Sequence, residues 1–315
     1  MKFSLRFNLR NPEFAGVRMA DRYEAALEMA EWADNLGATW VSLSEHHGAA
    51  EGMVPDGILP SPVVFMAAIA ARTKNVRLLI AALVAPFYEP LRLAEDLAVL
   101  DQIANGRLEV VIGAGHDPLP FTMFGVEMRE RARRTTETVT TLKKAFTGEP
   151  FEFRGRTVQI TPTPCQPGGP PVLLGGNSEA AARRAARIAD GFFPGQPACW
   201  PYYVDELAKL GKPDPGPPEG GFDTILLAED PEAGWERAKP YFFQELEQHW
   251  AAAKRTVTEA DIRQFRVITP AQLVEELQAA PEAFPRFNPM CGGAPPELGW
   301  ETLRLFERDV LPKFR

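Results

Sequence analysis

The sequence predicts an α/β protein of the closed parallel kind, a (β/α)8 barrel. Apolar strand-like runs alternate with amphipathic helix-like stretches from the first residues to the last, and no tight hairpin signal interrupts the first 145 or so. Three of the four histidines stand where such a run stops at polar residues. Eight strand candidates with intervening helices suit a closed barrel better than a doubly wound sheet.

Lys2 to Asn8 reads as the first strand, and Met19 to Leu36 as an amphipathic helix closed by Gly37. Thr39 to Leu43 is the second strand. Ser61 and Pro62 open a helix to about Thr73, with Ser61 as N-cap and Pro62 at the first helical position. Val76 to Val84 is a nearly unbroken apolar run, as a parallel strand covered on both faces requires. Pro90 starts a helix ending near Asn105-Gly106, and Leu108 to Ile112 is the fourth strand. Arg129, Arg131, Arg133 and Arg134 alternate with Glu130 and Glu137, the pattern of a solvated helix start.

Phe151 to Ile160 alternates about a central Arg154-Gly155, which predicts a short hairpin inside an insertion over about 149–170, between strands four and five. The βα rhythm resumes with Pro171 to Leu174, a helix from Ser178 to Ala189, a strand at Gly191 to Phe193 and a helix near Pro201 to Leu210. Lys212 to Gly221 is a proline-glycine loop. Phe222 to Leu227 is the seventh strand candidate, followed by a helix from Pro231 to about Ala253 and another from Thr269-Pro270 to Ala279. Phe284 to Met290 is the weakest strand, because Pro285 and Pro289 interrupt it, and Pro296 to Val310 is a closing amphipathic helix.

The 315 residues, 45% hydrophobic and 24% charged, suit a single domain over 1–315. A net charge of -8 argues against a nucleic-acid footprint, which needs a clustered cationic surface. The opening Met1-Lys2-Phe3-Ser4 lacks a secretory signal pattern, and no apolar run approaches the ~18 residues of a membrane span, so a soluble cytoplasmic protein is expected. Cys165, Cys199 and Cys291 are odd in number and far apart, so neither a disulfide nor a structural metal is expected.

In a barrel the carboxyl ends of the strands share one mouth, so these ends carry the candidate chemistry. The second strand stops at Ser44-Glu45-His46-His47, the third at Ala81-Ala82-Leu83, the fourth at Gly113-Ala114-Gly115-His116 and the fifth at Gly175-Gly176-Asn177-Ser178. The last of these opens a helix and suits a phosphate, or it is a tight turn with Ser178 as N-cap. Ala81 and Ala82 leave room for a planar ring, or are core filler. Gly113 and Gly115 form a turn or a close backbone approach to a flat ligand. Glu45, His46 and His47 are proton-transfer candidates or hydrogen-bonded loop residues. Neighbouring side chains on extended backbone diverge, so His46 and His47 do not suit one metal ion. Phe87, Tyr88, Phe121, Met123 and Phe124 either wall an apolar pocket or pack the loops.

Four segments in order resemble the bacterial luciferase-like monooxygenase family: Ser44-Glu45-His46-His47; Ala81-Ala82 with Pro86 and Glu89-Pro90; Asp101 through Asn105-Gly106-Arg107 to Gly113 and Gly115; and Gly175-Gly176-Asn177-Ser178 with Ala189-Asp190-Gly191. The resemblance implies a TIM barrel holding reduced FMN at its mouth, or in a sister branch the deazaflavin coenzyme F420. It implies a catalytic role for His46, supported by His47 or Glu45. It also implies a bulge on strand three under the flavin ring, often with a non-proline cis peptide, at Ala81-Ala82 or the next bond. A phosphate site is implied at Asn177 and Ser178. The luciferases place an arginine after strand four where this chain has Ala114; backbone amides, Arg183 or Arg184 are left to compensate charge. With FMN the expected reaction is oxygen transfer to a small organic substrate, fed by a flavin reductase. With F420 it is hydride transfer without oxygen, and a barrel that binds flavin without turnover is the third reading. A homodimer through the early helices is expected, with Trp32, Leu36 and Val63 to Ala70 as its surface.

Overall fold

The computed structural model describes residues 1–48, 58–217, 222–223, 225–250 and 255–314. The elements run in order β1 (Ser4–Phe7), α1 (Met19–Asn35), β2 (Trp40–Leu43), α2 (Pro62–Arg72), β3 (Arg77–Val84), α3 (Pro90–Ile103), β4 (Leu108–Gly113), α4 (Pro118–Met123) and α5 (Arg131–Ala145). There follow β5 (Phe151–Phe153), β6 (Arg156–Val158), β7 (Val172–Gly176), α6 (Glu179–Ile188), β8 (Gly191–Pro194) and α7 (Trp200–Lys209). The remainder is β9 (Phe222–Asp223), β10 (Ile225–Leu227), α8 (Pro231–Trp250), α9 (Glu259–Ile262), β11 (Arg266–Ile268), α10 (Pro270–Ala279), β12 (Pro285–Phe287) and α11 (Pro296–Leu305). The chain forms two compact units, one of residues 1–42, 46–60 and 219–315, the other of residues 43–45 and 61–218.

In the second unit the strands lie in the order β8-β7-β4-β3, every neighbour parallel. Leu78 and Ile80 of β3 and Val172 and Leu174 of β7 alternate with half-open neighbours and are almost wholly buried, as a two-residue period gives, while β4 between them buries Val110, Val111 and Ile112 together, as a strand covered on both faces does. Leu93 and Leu97 of α3 and Val139 and Leu142 of α5 are equally buried. The helix starts are written locally. Glu89 accepts from the amides of Leu91 and Arg92 ahead of Pro90, and Asp117 accepts from that of Leu119 ahead of α4. Ser61 occupies the N-cap of α2 but its side chain makes no capping bond, so the start rests on Pro62, which lacks an N–H and has its φ preset. The expected hairpin is the antiparallel pair β5–β6.

In the first unit the order is β2-β1-β12-β9, and the first and last strands of the chain are parallel neighbours. Pro285 opens β12, a position where a missing N–H is tolerated, so the interrupted eighth strand forms over three residues. Phe3 and Phe287 pack on Phe306 with ring centroids 5.0 and 4.9 Å apart. A separate apolar cluster gathers Leu226, Phe242, Leu246, Ile262 and Phe265. Strand seven differs from expectation. Residues 222–223 pair with β12 while residues 225–227 pair with a strand the sequence did not suggest, β11. The proline-glycine loop is described only to residue 217, and the end of the helix expected to reach Ala253 lies outside the described residues.

Candidate active site

The alternation of β3 breaks in its middle. Leu78 and Ile80 are buried, and the next buried residues are Leu83 and Ala85, while Ala81 and Ala82 are both half-open. The pairing gives the reason: Ala81 lies opposite Val111 and Leu83 opposite the very next residue, Ile112. Ala82 is therefore the extra residue of a β-bulge, which turns the following side chains by one step. The Ala81–Ala82 peptide is cis, at the first of the two bonds the resemblance implies.

Gly113, at the end of β4, lies against this bulge; a Cβ there would stand 3.2 Å from the Ala82 Cβ. Its φ is not in the left-handed region, so space and not conformation calls for glycine. Ala82 and Gly113 together make a floor of methyl and bare backbone. Gly115 needs both freedoms, with φ +73° and a Cβ that would meet Val84 Cγ1 at 2.9 Å and the Phe121 ring at 3.0 Å.

The turn after β7 is built by close approach as well. A Cβ on Gly175 would lie 3.1 Å from Val111 Cγ1, and one on Gly176 only 2.5 Å from the Ala181 Cβ, so α6 sits tightly over the strand end. Ser178 is an ordinary N-cap, its Oγ accepting from the Ala181 amide at 3.3 Å. Residues 177–180 are exposed, leaving the positive end of α6 open. Asn177 leans over Gly195, where a Cβ would fall 2.1 Å from its Oδ1. Sequence reasoning missed Gly195; its signal is the Pro194-Gly195 pair after strand six. Arg183 does not turn to this site. It donates to Glu179, Asp205 and Glu206, tying α6 to α7, so it is removed from the charge-compensating set.

Glu45 is buried, and its Oε2 accepts from the Val84 amide at 2.9 Å and from the Tyr88 hydroxyl at 3.0 Å. It fastens the end of β3, two residues beyond the bulge, to the segment after β2. Burial, then the negative charge of Glu45, pushes the Tyr88 hydroxyl far above its usual range, so Tyr88 stays a donor. His46 and His47 follow in the chain, each half-buried, and the His46 amide donates to the Leu59 carbonyl at 3.0 Å. His116 is exposed.

The first unit carries a polar group that the sequence did not bring together. Asn8 follows β1 and Asn288 follows β12; Asn288 donates to Asn8, and Asn8 to Glu245 of α8. Arg10 and the Gly292 amide donate to the other oxygen of Glu245, each at 3.1 Å. Burial raises the Glu245 carboxyl, but the charges of Arg10 and Arg6 outweigh it and hold it below its ordinary value. Asparagines after the first and last strands of a barrel were the available signal. Among the described residues, no cluster of three or more His, Cys, Asp or Glu is placed to hold a metal ion.

A model of the luciferase-like monooxygenase family matches residues 1–286. The chain belongs to this family. The structure of the monooxygenase RslO1 from Streptomyces bottropensis resembles the luciferase-like chain with a TM-score of 0.78 at 27% identity, over the whole of both chains. An F420-dependent secondary alcohol dehydrogenase, solved with an F420-acetone adduct, gives 0.71 at 18% identity over 100% and 99% of the two chains, a likeness of fold alone. The oxygenase component of the flavin-dependent trigonelline monooxygenase of Acinetobacter baylyi is 30% identical over 159 residues, 48% of this chain and 42% of that protein. The chain spans about half the length of the curated relatives it matches, or less. The fold class is thus the luciferase-like (β/α)8 barrel, with the β5–β6 insertion between its fourth and fifth barrel strands.

Proposed function

We propose that this luciferase-like chain is the oxygenase of a two-component flavin monooxygenase, taking reduced FMN from a separate reductase and acting with oxygen on a small organic substrate in the cytoplasm. The observation that carries this reading is the floor made by the bulged Ala82 and Gly113. Any larger side chain at either position would occupy the space above bare backbone, and a planar ring system suits what these residues leave open. Gly175, Gly176, Asn177 and Ser178, with the open end of α6, suit the phosphate of the same cofactor. Bound there, reduced FMN would supply the electrons that let one atom of oxygen pass to the substrate.

The chain's own residues then bind, orient and move protons. Glu45 holds β3 so that the floor keeps its shape, and Ala81, Ala82, Gly113 and Gly115 support the ring. His46 exchanges a proton with the reacting atoms, as an imidazole does near neutral pH, and His47 supports it. The exposed Val64 of α2 and Val99 and Ile103 of α3 support a homodimer through the early helices. Coenzyme F420 is the second reading, favoured by Ala114 where the luciferases carry a phosphate-binding arginine. Oxygen consumption with reduced FMN and candidate substrates tests the choice: uptake coupled to substrate supports the monooxygenase, whereas F420 oxidation without oxygen uptake rejects it.

A further inference from the structure

The loops after β3 and β4 hold an aromatic group that the flavin reading leaves unused. The floor leads into it without a break. Val84 pairs with Gly113, Gly115 presses on both Val84 and the Phe121 ring, and Phe121 meets Phe87 edge to face at 4.9 Å. Phe87 in turn stacks on Phe124 at 4.9 Å with 25° between the ring planes. Phe124 and its neighbour Met123 are nevertheless 48% and 58% exposed, two large apolar side chains side by side in solvent. Single exposed apolar residues need no explanation, but an aromatic row that runs from a site into solvent marks a surface meant to be covered.

The charged side chains of these segments are engaged: Arg134, which reaches the Pro86 carbonyl at 3.5 Å, donates to Glu130 at 3.2 Å, and Arg129 pairs with Glu127. Asp117 caps α4 through the Leu119 amide at 3.0 Å. The α4 helix itself, Pro-Leu-Pro-Phe-Thr-Met, carries no charge. An anionic substrate group would lose its hydration against the negative faces of Phe87, Phe121 and Phe124 and gain no ion pair from them, and a cationic one would gain only a cation–π attraction, which is smaller than the hydration it loses. A neutral flat ring would stack as Phe87 and Phe124 already do.

We propose that Phe87, Phe121, Met123 and Phe124 form the substrate-selecting wall of the site, and that the substrate is a neutral, planar aromatic compound. The inference rests on the flavin reading for the word substrate, but its binding test does not. The fluorescent probe 2-naphthol, titrated into the 315-residue chain without flavin, is expected to bind saturably. It should bind at least tenfold more tightly than the charged 2-naphthoate. Phe124→Ala should weaken 2-naphthol about tenfold, the worth of one lost aromatic contact with its area, and Phe124→Leu should weaken it less. FMN affinity, measured separately, should stay within about twofold in both variants.

Several results would overturn the wall: no saturable 2-naphthol binding, equal binding of 2-naphthoate, or unchanged affinity in Phe124→Ala. A Phe124→Ala protein of lower mass in solution with unaltered 2-naphthol affinity would give the patch to a subunit contact instead. Loss of FMN binding by the wild-type protein with the naphthol results intact would reject the flavin and keep the aromatic site.

Discussion

Replacing Glu45 by glutamine separates two roles for the residue beside the histidines. Its Oε2 accepts two bonds, from a backbone amide at 2.9 Å and a phenol at 3.0 Å, in a buried position. Hydrogen bonds to a charged group are worth about 1.5–3 kcal/mol and neutral ones about 0.5–1.5. Glu45→Gln, which turns two of the first kind into two of the second, should therefore cost about 2–3 kcal/mol. Glu45→Ala leaves the Val84 N–H and the Tyr88 hydroxyl without this acceptor and should cost about 2–6 kcal/mol, from about 1–3 for each stranded group. Val84 pairs with Gly113, so a loosened β3 end also disturbs the floor, and FMN affinity should fall with stability. Urea unfolding and FMN titration of both variants give the two quantities. If Glu45→Gln keeps the wild-type urea midpoint and FMN affinity and loses only turnover, Glu45 is a proton-transfer residue and the anchoring argument is wrong.

Gly113→Val places a Cβ 3.2 Å from the Ala82 methyl and two further methyls over the floor; FMN affinity should drop at least about tenfold while far-UV circular dichroism stays unchanged, and an unaltered affinity would move the ring elsewhere. His46→Ala should cut turnover by about 100-fold or more, the usual scale of a lost acid–base group, with FMN affinity within about twofold; unchanged turnover would remove His46 from the mechanism. Glu245 titrates lower in the folded chain than in the unfolded one, where a glutamate stands near about 4.3. The folded state binds fewer protons there, so this stability is present above that value and is lost as pH falls through the lowered one. Urea midpoints between pH 7 and 3 should fall more steeply in the wild type than in Glu245→Gln, and parallel curves would contradict the assignment.

The parts of the fold that were legible in the sequence are those set by local chemistry. Strands one, two, four, five and six end where apolar runs meet Asn8, Ser44, Gly113, Gly175 or Pro194, and helices begin at Pro62, Pro90 and Thr269-Pro270. Partner choice was not legible. Phe222 to Leu227 is one apolar run, yet its two halves pair with different strands, and nothing in an apolar pattern names the partner. β11 is three half-buried residues, too short for a period to show. The same limit governs the site. Ala81-Ala82 could be placed because the resemblance marks the bulge, but the bonds from Glu45 to Val84 and Tyr88 span 39 and 43 residues. Glu245 lies 237 residues from Asn8 and was not singled out at all.

The central claim is that the bulged Ala82 and Gly113 carry a reduced flavin. Anaerobic titration of the 315-residue chain with reduced FMN and, separately, reduced F420 tests it most directly. One equivalent of reduced FMN bound more tightly than F420, with the preference weakened in Gly113→Val, is the predicted result; binding of neither, or equal binding by Gly113→Val, would contradict it.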